Sequence, residues 1–208
     1  MPHESPMQAA ETALVLIGFQ NDYFRDDGVL RSAIEDSHNV DEALERTTSL
    51  MDRLAGSPVT MIATPILFTP NYEELVEPTG ILKVVRDSGA FRAGTPGGQA
   101  VQEFEAFGDR LLEVPGKRGL NAFSNTDLDH VLKDRGIRNI VLAGAITSVC
   151  IDSTGRAATE RGYRVTVLSD CTVGRTAFEQ DFFCREILPL YADVCTAADW
   201  VTQLEQPN

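Results

Sequence analysis

One apolar run that does not alternate limits the fold more than any other feature. Residues 13–19 read ALVLIGF, and residues 139–145, NIVLAGA, read as a later strand. A strand covered on one face alternates apolar with polar residues. A short continuous run instead marks a strand covered on both faces, the habit of parallel sheets lying between helices.

The rest of the chain alternates around these strands. Val40, Leu44, Met51 and Leu54 recur at helical spacing, and Gly56 and Pro58 end that helix. Residues 59–68 and 110–114 read as the second and third strands. Residues 126–136 read as a helix with Leu128, Val131 and Leu132 facing inward. After the 139–145 strand come a helix at 148–162, a strand at 163–170, a helix at 177–191, a short strand at 193–196 and a helix around Trp200. Such alternation implies a doubly wound α/β fold, a mostly parallel sheet with helices on both faces.

The 208 residues are expected to form a single domain. Residues 1–11 are polar and acidic and read as a loose tail. Residues 69–98 break the rhythm, being rich in Pro and Gly with only a short helical pattern at 81–85. They read as a lid or a substrate-specificity insertion.

The net charge of -13 repels nucleic acid and anionic membrane, so neither is an expected partner. No apolar stretch is long enough to span a bilayer, and the first residues have neither half of a secretory leader. Cys150, Cys171, Cys184 and Cys195 match neither a redox pair nor a zinc set. They read as reduced thiols in a cytoplasmic protein.

In open α/β sheets ligands bind beyond the carboxyl ends of the strands. Cys150 follows the 139–145 strand through a short turn and sits at the start of a helix, which Thr147 or Ser148 can cap. The helix dipole and free N–H groups favour the thiolate there and can hold an oxyanion. The plain alternative is a buried cysteine acting as a small hydrophobe. Lys117 follows the third strand, where it can reach into the crevice and lower the pKa of Cys150, or else lie solvated on the surface.

Three blocks, in order, resemble the isochorismatase-like superfamily of cysteine hydrolases: LVLIGFQNDYF, KRGLNAFSNTDL and LAGAITSVCIDSTGRAATERGYRVTVLSD. That superfamily includes nicotinamidases, N-carbamoyl amidases and isochorismatases. The resemblance implies six parallel strands and an Asp-Lys-Cys triad, with Cys150 as nucleophile and Lys117 as the lysine. It also implies a non-proline cis peptide between Ala145 and Ile146, an oxyanion hole from the N–H groups of Ile146 and Cys150, and a homodimer or larger homo-oligomer. Phe19, Phe24, Asn121 and Phe123 are the expected substrate-binding residues, with core packing as the alternative for the aromatics.

One position departs from the family. Where the pattern has its first Asp, this chain has Gly18. Three accounts follow: another acid such as Asp22 or Asp170 substitutes, Lys117 and the helix dipole suffice, or hydrolysis is lost. The histidines are His3, His38 and His130, with no Asp-x-His pair after the second strand, so neither a metal nor a cofactor is expected. The expected function is hydrolysis of a non-peptide C–N bond in a small molecule through a Cys150 thioester. The alternative is a catalytically impaired protein that binds a small ligand or senses thiol chemistry. Hydrolysis of a vinyl ether ranks lower, because it relies on the absent Asp as proton donor.

Overall fold

The computed structural model describes residues 7–35 and 37–205, without the side chains of residues 37 and 38. One sheet contains β1 (Thr12–Ile17), β2 (Thr60–Thr64), β3 (Leu111–Glu113), β4 (Asn139–Ala145), β5 (Arg164–Val173) and β6 (Asp193–Cys195). Its spatial order is β3-β2-β1-β4-β5-β6, and every neighbouring pair is parallel. The chain builds outward from β1 to β3, returns to the centre, and builds outward again from β4. The doubly wound expectation is therefore met, and the switch in direction opens a crevice between the ends of β1 and β4.

Around the sheet lie α1 (Asn21–Phe24), α2 (Ser37–Leu54), α3 (Gly80–Ser88), α4 (Leu128–Asp134), α5 (Asp152–Glu160), α6 (Ala177–Phe182) and α7 (Ala197–Leu204). Every residue of β1 and β4 is buried, which is why neither sequence alternates. Helix α2 buries Val40, Met51 and Leu54 as its spacing predicts, with Ala43 and Leu50 beside them and Leu44 only half-buried.

Several boundaries differ from the sequence reading. Strand β2 stops at Thr64 rather than running to residue 68, because Pro65 has no N–H for the ladder. The chain beyond it touches neighbours only as single bridges, Ile66 to Lys117 and Phe68 to Arg92. The expected helix at 177–191 is regular only through Phe182. It then widens into a π turn (Phe183–Ile187) and tightens into a 3-10 turn (Leu188–Leu190) at Pro189.

Residues 1–6 of the expected tail lie outside the described residues. The part that follows is not loose: Met7 Sδ accepts the Trp200 Nε1–H at 3.3 Å, and Thr12 Oγ1 donates to the Gln8 carbonyl at 2.7 Å. Residues 69–98 are likewise pinned. Phe68, Tyr72, Val85 and Phe91 are buried, and the Phe68 backbone pairs with Phe91 and Ala93 at 2.8 Å each. All four cysteines are free. Among the described residues no helix is long and apolar enough to cross a membrane.

Candidate active site

Strand β4 delivers the chain to the crevice, and the Ala145–Ile146 peptide there is cis, as the resemblance implies. A π turn (Thr147–Ile151) follows and runs directly into α5. Cys150 lies in that turn, 4% exposed. Neither expected cap is used as a cap. Instead Thr147 Oγ1 donates to Gln180 Oε1 and Ser148 Oγ donates to Glu179 Oε1, both at 2.6 Å. The wide turn thus ties its hydroxyls to α6 rather than to its own backbone. Val149 and Ile151 N–H donate to the Ile146 carbonyl at 3.1 and 3.2 Å. The Ile146 N–H itself has no hydrogen-bond partner among the described residues.

Lys117 arrives from the segment after β3. Its carbonyl accepts the Leu67 N–H at 3.4 Å, which fixes the backbone against the continuation of β2. The side chain is 0% exposed, so the surface alternative does not apply. Nζ lies 3.5 Å from Cys150 Sγ and also donates to the Gly119 carbonyl. Burial holds the lysine pKa below its ordinary value, and the nearby thiol opposes that shift only in part.

Gly18 stands at the end of β1 with φ +71°, in the left-handed region. A Cβ there would sit 2.9 Å from the Ala145 carbonyl oxygen. Its nearest side-chain neighbour is Tyr23, whose Cδ2 would lie 3.8 Å away. The Tyr23 ring is buried and packs edge-on against Phe91 with centroids 5.1 Å apart. Burial, then Cys150 and Asp22, push its phenol far above the ordinary range, so it stays protonated.

The two acids named as replacements are committed elsewhere. Asp22 Oδ2 accepts the Phe91 N–H at 2.6 Å. Its carboxylate also lies against Gly97, where a Cβ would overlap it. Asp170 accepts the Ala197 N–H at 2.8 Å, at the start of α7. Both anchor neighbouring segments.

The four expected substrate-binding residues divide. Phe19 and Phe24 stack at 4.6 Å, and Phe19 also meets Phe104 at 5.2 Å, an arrangement of core packing. Asn121 Oδ1 accepts the Phe123 N–H at 2.7 Å and shapes its own loop. Phe123 faces Tyr163 at 6.1 Å with the Arg161 guanidinium 4.7 Å above its ring. Both partners lie in the turn between α5 and β5. Sequence reasoning missed Glu179 and Gln180, because nothing local links them to a turn some thirty residues earlier. Among the described residues no group of three His, Cys, Asp or Glu side chains could hold a metal ion.

The isochorismatase domain family matches residues 12–199. The chain belongs to the isochorismatase family. It is similar to the ureidoacrylate amidohydrolase RutB of Stutzerimonas stutzeri, with 29% identity over 183 residues that cover 82% of this chain and 73% of the relative. Among solved structures, it resembles an isochorismatase-like hydrolase from Alkaliphilus metalliredigens at 24% identity and a TM-score of 0.76, covering 95% of this chain and 99% of the other. The N-carbamoylsarcosine amidase of Thermoplasma acidophilum shares the fold at 20% identity and a TM-score of 0.70, covering 92% and 97% of the two chains. The protein is thus an isochorismatase-family hydrolase, and it has amidohydrolases among its relatives.

Proposed function

We propose that this hydrolase cleaves the C–N bond of a small ureido or carbamoyl compound through a thioester on Cys150. The observation that carries the reading is the buried contact of 3.5 Å between Lys117 Nζ and Cys150 Sγ. An amine beside a thiol can take the thiol proton and so form the thiolate, which is the attacking form. The carbonyl oxygen of the substrate gains charge as the thiolate adds. The N–H groups of Ile146 and Cys150 are the donors assigned to that oxygen, and the unpaired state of the Ile146 N–H supports the assignment. Relatives named for ureidoacrylate and N-carbamoylsarcosine support a carbamoyl-type substrate. The reading needs neither metal nor cofactor. A binding-only role draws no support from these relatives, which are named as hydrolases.

The test uses ureidoacrylate, N-carbamoylsarcosine and nicotinamide as substrates, with ammonia release and intact-protein mass as readouts. The expected result is product from at least one carbamoyl compound, with an acyl adduct on Cys150 that hydroxylamine removes. Cys150→Ser should lower that turnover by roughly a thousandfold or more. Turnover that survives within tenfold in Cys150→Ser would sink the reading. Thiol labelling gives a second check, because burial lifts Cys171 to about 12 and Cys184 and Cys195 to about 11. Iodoacetamide near neutral pH should therefore find Cys150 first.

A further inference from the structure

We propose that Lys117 is the base of this site and carries every proton of the reaction, the work a carboxylate would do at position 18. The inference rests on the cysteine-hydrolase reading above and adds to it a complete proton path.

The candidate proton acceptors reduce to one. Gly18 has no side chain, and its backbone and the Ala145 carbonyl crowd any that might be added. Asp22 is bonded to the Phe91 N–H and Asp170 to the Ala197 N–H. Tyr23 faces Cys150 as a neutral phenol, which can donate a proton to a hydrogen bond but has no readily available site to take one. Lys117 remains. Its polar partners among the described residues are the Gly119 carbonyl and the Cys150 thiol, and no carboxylate shares it.

That last fact changes what the lysine can be. A buried ammonium beside a carboxylate is held charged and cannot act as a base. A buried lysine whose only acidic neighbour is a thiol has an uncharged alternative, amine beside thiol, and burial favours it. The contact suits both states. The S–H donates to the amine lone pair in one, and an N–H donates to the thiolate in the other. The bond to the Gly119 carbonyl keeps Nζ in place through the exchange.

For a substrate R–CO–NH–R′ the steps balance as follows. The Cys150 proton passes to Nζ, leaving thiolate and ammonium. The thiolate forms the S–C bond, and the carbonyl π pair moves onto oxygen. The ammonium then gives its proton to the substrate nitrogen as the C–N bond breaks, so H₂N–R′ leaves and a thioester remains beside a neutral amine. Water adds to the thioester carbon while its proton goes to Nζ. The C–S bond breaks, the acid R–COOH leaves, and the ammonium returns a proton to sulfur. The sum is amide plus water giving acid plus amine.

Lys117→Arg separates a base from a counter-ion, because guanidinium keeps the charge but does not surrender its proton near neutral pH. With p-nitrophenyl acetate, whose leaving group departs as an anion, this variant should still release a burst of about one nitrophenolate per chain, since acylation needs no proton donor. Its hydrolysis of ureidoacrylate or N-carbamoylsarcosine should fall by roughly a hundredfold or more. Carbamoyl turnover within threefold of the parent overturns the proposal. Should the Arg variant fail to fold by circular dichroism, Lys117→Met decides. Its Cys150 should react with iodoacetamide near neutral pH at least about tenfold more slowly than in the parent, and an unchanged rate overturns the proposal. If the parent hydrolyses none of the compounds, the reading under Proposed function fails, and the alkylation rate still judges the lysine.

Discussion

The two edges of the crevice are built on opposite terms. At the β4 edge the nucleophile turn is fixed by side chains from α6, with Thr147 on Gln180 and Ser148 on Glu179, and by Lys117 from below. At the β1 edge the polar residues serve as anchors. Gln20 bonds the Ile66 and Gly98 carbonyls and the Ile66 N–H at 2.8 Å each, and Asp22 holds Phe91. The Gln-Asn-Asp run thus keeps its anchoring role, while Gly18, two residues before it, offers no side chain. Support and reactivity are separable in this fold. Losing the acid leaves the crevice intact and moves the proton problem to the opposite edge.

The sharpest way to break that contrast is Lys117→Met. Carbamoyl turnover is expected to fall by roughly a thousandfold, since thiolate formation and leaving-group protonation fail together. Stability should move the other way. Replacing a buried amine by an apolar side chain of similar length removes a polar group that burial penalises, and is expected to be neutral or modestly stabilising. Urea denaturation of the two proteins checks this. A large loss of stability would mean that Lys117 is a structural member of the β4 edge.

Gly18 gives the next effect. At φ +71° any side chain is strained, and its Cβ would crowd the Ala145 carbonyl. Gly18→Ala and Gly18→Asp are each expected to cost about 1–3 kcal/mol and to lower turnover. Both share the Cβ contact, and Gly18→Asn, whose side chain tolerates positive φ as Asp does, completes the set that isolates the carboxylate. If Gly18→Asp is more active than the parent while Gly18→Ala and Gly18→Asn are not, the β1 edge was one carboxylate short of a base, and Lys117 was not sufficient.

Much of this contrast was legible in the chain. The unbroken apolar run at β1 reads as a strand covered on both faces, and the alternation of strands and helices around it places the ligand crevice beyond the strand ends. Cys150 and Gly18 follow from that placement, each just beyond a strand. Lys117 needed the family resemblance, because its spacing does not distinguish a buried amine from a solvated one. The α6 clamp was illegible for a plainer reason. Whether Ser148 caps its own turn or reaches Glu179 depends on the width of a π turn, which no local pattern encodes. The packing of Phe123 against Tyr163 and Arg161 joins residues some forty positions apart, which no local pattern encodes.

The clamp supplies the smallest and most specific test. Glu179 is buried and accepts hydrogen bonds from Ser148 Oγ, the Arg175 N–H and the Arg175 guanidinium. Burial alone would raise its pKa from the ordinary 4.5, but these donors outweigh it and hold the carboxylate below that value. A depressed carboxylate pKa contributes stability that is fully present above the unfolded value and is lost as pH falls through the folded one. Glu179 should therefore support the fold undiminished down to about pH 4.5 and lose its contribution below it. Glu74, Asp87 and Asp129 are lowered too, so acid sensitivity of the parent alone proves nothing. The difference between parent and Glu179→Gln isolates the residue. Near pH 7 the variant should be less stable by about 1–2 kcal/mol, a gap that narrows as the medium is taken below pH 4.5. Because Ser148 is its partner, the variant should also slow Cys150 alkylation several-fold at neutral pH. A stability gap without that slowing would mean that α6 braces the sheet but not the nucleophile, and the β4 edge would then be no better determined than the β1 edge.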